Sequence, residues 1–403
     1  MKKEMVIDSN EPYIPSEIIT NILKRLPVKS LIRFQCVCKD WKNLFKTRSF
    51  ISEHYRHSTH QNPYLIFQCN GCKCNPRHLC LMNRYMHILE YPTLPLTDSS
   101  MDLSRIVGSS NGLICLEFVR SKSYMLWNPA IREAFQVPEF KVLNFPHFGI
   151  VSYVGFGFSP IVNDCKIVRL FFSWLPDARV YPVVLVVFSL STRSWKEVKV
   201  GKLEGIKPFT DGNSFAFDGA ILWFGFRHVE KNEICILSFD IATEAFTLIP
   251  FPRSAVSDEN NRLTTYDNKL ALLSNNLIEN TIDLWVFDLW VMEKCIEASG
   301  ERWNWTKIYT SNAYPYCACL LSPPSIWKNE IFWESDAFRS YFGEANVTVP
   351  NDEEDEGKLV LCHLHTNEFK MLATTEPLLM SEVWNYAESL VSVCNIHIEA
   401  SSS

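Results

Sequence analysis

Apolar positions follow two different periods along this chain, and the period changes near residue 60. Between residues 14 and 50 they recur at helical spacing: Ile18, Ile19, Ile22, Leu23 and Leu26 form a stripe that Pro15 and Glu17 open and Pro27 closes. Proline suits the first helical position and an acid the first turn, while Pro27 cannot continue the run. The pattern predicts a short amphipathic helix, a second short segment through Leu31, Ile32 and Phe34, and a third helix carrying Val37, Cys38, Trp41, Leu44 and Phe45. A module of roughly 40 residues is too small to bury all these faces by itself. A partner helix filling the leftover groove is expected, and a cap packed only on its own chain is the alternative.

Beyond residue 60 the apolar positions alternate, in short β-branched and aromatic runs divided by Asn, Asp, Gly and Pro. One unit recurs: an apolar strand, a polar turn, then an aromatic residue opening the next strand. It runs over 124–135, 185–195, 236–246 and 361–369, with a more distorted copy over 284–305. Its closing aromatics, Phe135, Trp195, Phe246, Trp305 and Phe369, are 60, 51, 59 and 64 residues apart. That period exceeds a hairpin and suits a four-stranded propeller blade with variable loops. A second signal, a tight turn leading into a strand, precedes most copies: 110–116, 217–223, 266–272 and 327–333. Asn-Gly and Asp-Gly supply the positive φ angles of hairpin turns. The expected fold is a small all-α module over 10–56, an all-β propeller-like domain of about six blades over 62–398, and a tail over 399–403.

Composition fits a large soluble core: 47% of the 403 residues are apolar. The first residues show no apolar signal segment, and the longest uncharged stretch, between Lys141 and Asp164, is broken by Pro146 and Pro160. No membrane span is expected, and the 14 scattered cysteines then read as reduced thiols in cytoplasm or nucleus. Residues 1–60 carry 11 Lys and Arg against 6 Asp and Glu, while residues 61–403 carry 28 against 39. The larger part is therefore acidic, which disfavours a nucleic-acid backbone and speeds encounter with a basic partner.

Candidate chemistry is sparse. Cys69, Cys72, Cys74 and Cys80, with His78 between them, could supply zinc ligands, but the spacing lacks a second knuckle and the segment suits a hairpin turn. Gly155 and Gly157 lack the third glycine and following helix of a phosphate loop. Asp352 to Glu356 reads as a solvated loop, with a basic-substrate contact as its functional alternative. Neither a catalytic set nor a cofactor site emerges.

Several spaced features of the helical module coincide: Ile14-Pro15 before Glu17, Ile22-Leu23, Leu26-Pro27 before Lys29-Ser30-Leu31, Arg33-Phe34, then Val37-Cys38-Lys39 and Trp41. Together they resemble the F-box of ubiquitin-ligase substrate receptors, with Ile14 replacing the usual Leu. The stretches 108–115, 126–130, 155–158 and 240–246 resemble the F-box-associated domain of the large plant family of such receptors. Within it, Leu284 to Phe287 and Trp303 to Lys307 are similar to S-locus F-box proteins and their relatives. The resemblance implies a non-catalytic subunit of an SCF-type E3 ligase whose F-box binds a Skp-type adaptor and, through it, a cullin and a RING subunit. It places Pro15, Ile18, Ile22, Leu23, Leu26, Pro27, Leu31 and Val37 at or next to that interface. It also implies a protein substrate, for the S-locus members a basic S-RNase met in pollen, without indicating which residues hold it. A propeller enzyme or small-ligand sensor using the central channel is the rival reading.

Overall fold

In the computed structural model of the chain, residues 14–61, 63–69, 78–83, 85, 87–90, 103–118, 123–140, 150–174, 180–199, 203, 206–208, 214–229, 231–252, 255, 261–278, 285–297, 300–313, 326–327, 330–334, 359–372 and 380–394 are described. The N-terminal module holds four helices: α1 (Ser16–Leu23), α2 (Val28–Phe34), α3 (Lys39–Leu44) and α4 (Arg48–Gln61). Pro15 and Pro27 are the N-caps of α1 and α2, each one residue before the helix proper. The fourth helix exceeds the three expected and carries the module past residue 56. Its apolar stripe is thin, and contacts made by Phe50, His54 and Tyr55 hold it in place.

The described strands form six sheets, in agreement with the expected number of blades. Blade 1 contains β1 (Tyr64–Cys69), β2 (His78–Met82) and β3 (Ile88–Glu90). Blade 2 is β4 (Leu103–Ser110), β5 (Leu113–Phe118), β6 (Ser123–Asn128) and β7 (Glu133–Gln136). Blade 3 is β8 (Ile150–Ser159), β9 (Asp164–Trp174), β10 (Val180–Ser189) and β11 (Ser194–Val198). Blade 4 has β12 (Ile206–Pro208), β13 (Phe215–Phe217), β14 (Ala220–Val229), β15 (Lys231–Asp240) and β16 (Ala245–Pro250), with β12 and β13 sharing one edge of β14. Blade 5 is β17 (Arg262–Tyr266), β18 (Lys269–Leu277), β19 (Trp285–Glu297) and β20 (Gly300–Thr310). Blade 6 is β21 (Ile326–Trp327), β22 (Glu330–Glu334), β23 (Leu359–His363) and β24 (Phe369–Leu372).

The last strand, β25 (Met380–Tyr386), returns to pair with β1, so blade 1 joins both ends of the β domain. Successive contacts β25 to β4, β4 to β8, β8 to β13, β13 to β17 and β17 to β21 place the first strand of each blade innermost. Ring closure by the C-terminal strand removes an open edge that would otherwise invite pairing.

Both repeated signals have a place in the blade. Each closing aromatic falls in a fourth strand: Phe135 opposite Leu126, Trp195 opposite Phe188, Phe246 opposite Phe239, Trp305 opposite Met292 and Phe369 opposite Cys362. Two of them also tie blades together, because the Trp195 indole donates to the Pro138 carbonyl at 2.6 Å and that of Trp305 to Pro250 at 2.8 Å. The tight turns join first and second strands, with positive φ at Asn111 and Gly112, Asp218 and Gly219, and Asp267 and Asn268. Gly155 lies inside β8, where blade 4 approaches: a Cβ there would stand 2.5 Å from both Ile221 and Trp223. The glycine pair therefore serves packing between blades.

Cys69 pairs with His78 across the β1–β2 hairpin and Cys80 is a buried free thiol, while Cys72 and Cys74 lie outside the described residues. Among the described residues no metal-holding cluster occurs, and no helix is long and apolar enough to cross a membrane. The acidic run 352–356 also lies outside them.

Candidate adaptor-binding face

The N-terminal module has two faces with different fates. Inward, Leu23, Val28, Leu31, Phe45 and Phe50 are buried in one cluster, with Ile19, Leu26, Phe34, Trp41, Leu44 and Ile51 packed around it. Rings run through it as a chain, Phe34 to Trp41 at 5.7 Å, Phe45 to Phe50 at 5.2 Å and Phe50 to His54 at 6.3 Å between centroids. The cluster also takes in Leu390, Ala130 and Ile131 from the β domain. The module is thus anchored on its own chain.

Several polar contacts reinforce the anchorage. The Val28 amide donates to Glu388 Oε2 at 3.3 Å, and Arg48 donates to the Pro160 carbonyl at 2.6 Å. The Tyr55 phenol is hydrogen-bonded to the backbone of Asn111 and Gly112, and burial pushes its pKa up to about 12. His54 bonds the Leu26 carbonyl through Nε2 at 2.9 Å, fixing α4 against the corner that Pro27 creates. Burial holds its pKa below the usual histidine value.

Outward, the module leaves apolar side chains uncovered. Ile14, Ile18 and Ile22 are 52%, 50% and 52% exposed; Ile18 and Ile22 stand one turn apart on the same side of α1, and Ile14 lies just before its Pro15 cap. Ile32 and Val37, at 40% and 60%, continue the exposed set on α2 and at the corner before α3. Among the described residues, half of the ten most exposed large apolar side chains fall within these 24 positions. Apolar side chains exposed in this way make the outer face of the module a candidate interaction surface.

The expected interface residues divide between these faces. Pro15, Ile18, Ile22, Pro27 and Val37 are exposed, and Leu26 is half-buried. Leu23 and Leu31, at 2% and 0% exposure, are core residues that support the surface from beneath. Helical geometry separates them, since Ile19, Leu23 and Leu26 share the side of the first turns that meets α2 and α4. Ile14 and Ile32 belong to the open face although no interface role was expected of them. Ile14 precedes the Pro15 cap and so lies outside the helical spacing that marks Ile18 and Ile22.

The comparisons agree with this division into two parts. The F-box domain family matches residues 13–53, and the F-box associated beta propeller domain family matches residues 82–317. A putative F-box protein of Arabidopsis thaliana, At5g52610, is 30% identical over 300 residues, covering 72% of this chain and 76% of its own length. A second, At4g38870, is 26% identical over 350 residues, covering 83% and 76%. Among solved structures, TolB from Acinetobacter baumannii is similar at a TM-score of 0.45 with 11% identity, over 84% of this chain and 73% of that one. The chain belongs to the plant F-box proteins that carry an F-box associated beta propeller domain.

Proposed function

We propose that this chain is the substrate-recognition subunit of an SCF-type E3 ubiquitin ligase. The observation that carries the reading is the two-faced helical module, with one face packed on Leu390, Ala130 and Ile131 of the β domain and the other carrying an uncovered apolar stripe, Ile18 and Ile22 on α1, together with the exposed Ile14, Ile32 and Val37. A Skp-type adaptor covers that stripe and links the chain to a cullin and a RING subunit. The propeller holds a target protein, and the chain contributes proximity, presenting target lysines at high effective concentration to a charged E2. F-box proteins as a class are non-catalytic receptors, and no side chain here needs to enter the transfer chemistry.

Topology supports a position for the target. The F-box meets the turns of blades 2 and 3 that join first to second strands and third to fourth: Asn111 and Gly112, Ala130 and Ile131, and Pro160. These turns are short and fixed by positive-φ residues. On the opposite side, strand ends of successive blades, such as Glu90 and Leu103 or Thr310 and Ile326, stand farther apart in sequence. We place target recognition on that side, away from the F-box, where sequence can vary without disturbing a turn. The net excess of acids over residues 61–403 favours a basic target, and a basic S-RNase is the candidate that the S-locus resemblance supplies.

Reconstitution tests the reading: the full chain, mixed with a Skp-type adaptor, cullin, RING subunit and charged E2, should ubiquitinate a protein captured by residues 61–403. A chain that binds no Skp-type adaptor, or a β domain that captures only nucleic acid or small molecules, overturns it.

A further inference from the structure

The eight residues after β25, 387–394, cross from the closing strand of the ring to the underside of the F-box, and they interlock two cores. Leu390, 7% exposed, belongs to the F-box cluster with Leu23, Val28, Leu31, Phe45 and Phe50. Three residues later Val393, fully buried, enters the cluster between blades 2 and 3 with Leu126, Phe156 and Phe188. Neighbouring side chains of one strap therefore complete two separate hydrophobic bodies.

Polar contacts fix this strap along its length. The Asn128 amide donates to the Ser389 carbonyl at 3.0 Å and to that of Val391 at 2.7 Å. Glu133 Oε2 accepts from the Ser392 hydroxyl at 2.5 Å and from the Val393 and Cys394 amides at 3.1 and 3.4 Å. Arg193 donates to the Cys394 carbonyl. Glu388 takes the Val28 amide, the first N–H of α2. Gly112 lets the strap pass, because a Cβ there would stand 2.1 Å from that of Ser389. Asn128 and Glu133 are held by β6 and β7, so blade 2 must be formed before it can seat the strap.

We infer that the C-terminal strap is a coupling device that makes the F-box competent for its adaptor only when the propeller is closed. The inference rests on the receptor reading above. Without Leu390 the F-box core lacks one wall, and the helices that present Ile18, Ile22 and Val37 lose the packing that orders them. A chain that is incomplete, or whose ring has not closed, would then present a poor adaptor surface and be excluded from the ligase.

The test compares full-length wild type, Leu390→Ala and Glu388→Gln for affinity to a recombinant Skp-type adaptor, hydrogen exchange of 16–45, and melting of the propeller. Leu390→Ala should weaken adaptor binding by roughly tenfold or more, as removal of a buried leucine from a small core implies, and raise exchange in α1 to α3 while propeller melting stays put. Glu388→Gln, which keeps the size of the side chain, should weaken binding by a smaller factor. Wild-type affinity in Leu390→Ala overturns the coupling, and so does loss of the propeller transition in that variant, since the strap would then be only a part of the propeller. If wild type itself binds no adaptor, the receptor reading falls. The exchange comparison still decides the coupling in that case, with unchanged exchange of 16–45 in Leu390→Ala counting against it.

Discussion

Replacing Ile18 and Ile22 by aspartate separates adaptor binding from folding. Each keeps about half its surface open, 50% and 52%. An adaptor that covers one of them removes roughly 90 Å² of apolar area from water, about 2 kcal/mol at ~25 cal/mol/Å². A carboxylate in its place forfeits that term and adds an unpaired charge at a desolvated contact, at a further cost of at least about 2 kcal/mol. Each single variant should therefore lose about 4 kcal/mol, roughly a thousandfold in Kd. Both positions face solvent in the free chain, so thermal melting should hardly move. Titration calorimetry against a Skp-type adaptor, alongside circular dichroism, reads both quantities. Ile161→Asp is the control: at 77% exposure this side chain is the more open one, yet it sits in a propeller turn. Adaptor binding that survives Ile18→Asp and Ile22→Asp together would refute the assignment of this face. Leu31→Asp would be uninformative, because at 0% exposure it would abolish binding by unfolding the module.

Further outcomes follow from buried groups and close contacts. His54 is buried and held below its ordinary pKa by desolvation, so the unfolded chain binds the extra proton first; stability of the module should be level above about pH 6.5 and fall as pH drops below it. Urea midpoints at pH 7.5 and 5.5 should differ less in His54→Phe than in wild type, and equal differences would refute the role. Gly155→Ala forces a Cβ to 2.5 Å from two buried side chains, whereas at Gly108 the nearest atom is 3.4 Å away. The first should cost about 1–3 kcal/mol and several degrees of Tm, the second much less, in a calorimetric melt. A flexible Gly/Ser insertion after Gln61 should leave adaptor affinity within about threefold, because the strap still seats the module, but should compound the loss in Leu390→Ala. Additive effects in that double variant would show that strap and helix α4 act independently.

The repeat was legible because a blade cannot bury its own faces, so its core residues must recur. Phe135, Trp195, Phe246, Trp305 and Phe369 each mark a fourth strand for that reason. The Asn-Gly and Asp-Gly turns were legible because few other residues reach the φ angles those hairpins need. Helix α4 was not, since between Arg48 and Gln61 only Phe50, Ile51 and Tyr55 offer large apolar side chains and its other anchor is a histidine. Nothing local distinguishes residues 387–394 from a further strand, because Leu390 and Val393 are apolar in a pattern that either fate would allow. The division of the predicted interface was also beyond the pattern. Leu23 and Ile22 are adjacent and equally apolar, and only the positions of α2 and α4 decide which of the two is covered.

The positions of α2 and α4 would also govern how the proposed receptor delivers a target. Helix α4 reaches Gln61 and β1 begins at Tyr64, leaving almost no linker between F-box and propeller. At the other end of the chain the strap fills the module's core. Arg48 bonds the module to the Pro160 turn, and Asn128 and Glu133 bond the strap that packs beneath it, so both ends of the module are tied to blades 2 and 3. A flexible tether would spread a bound target over a wide volume and dilute its lysines near the E2, since effective concentration falls steeply once a linker exceeds the span. In the proposed ligase, a rigid seat would confine a target held by the propeller to one arc. On that reading, the residues that would govern which lysines are reached lie at the seam between F-box and propeller, in places that neither the F-box motif nor the blade repeat identifies.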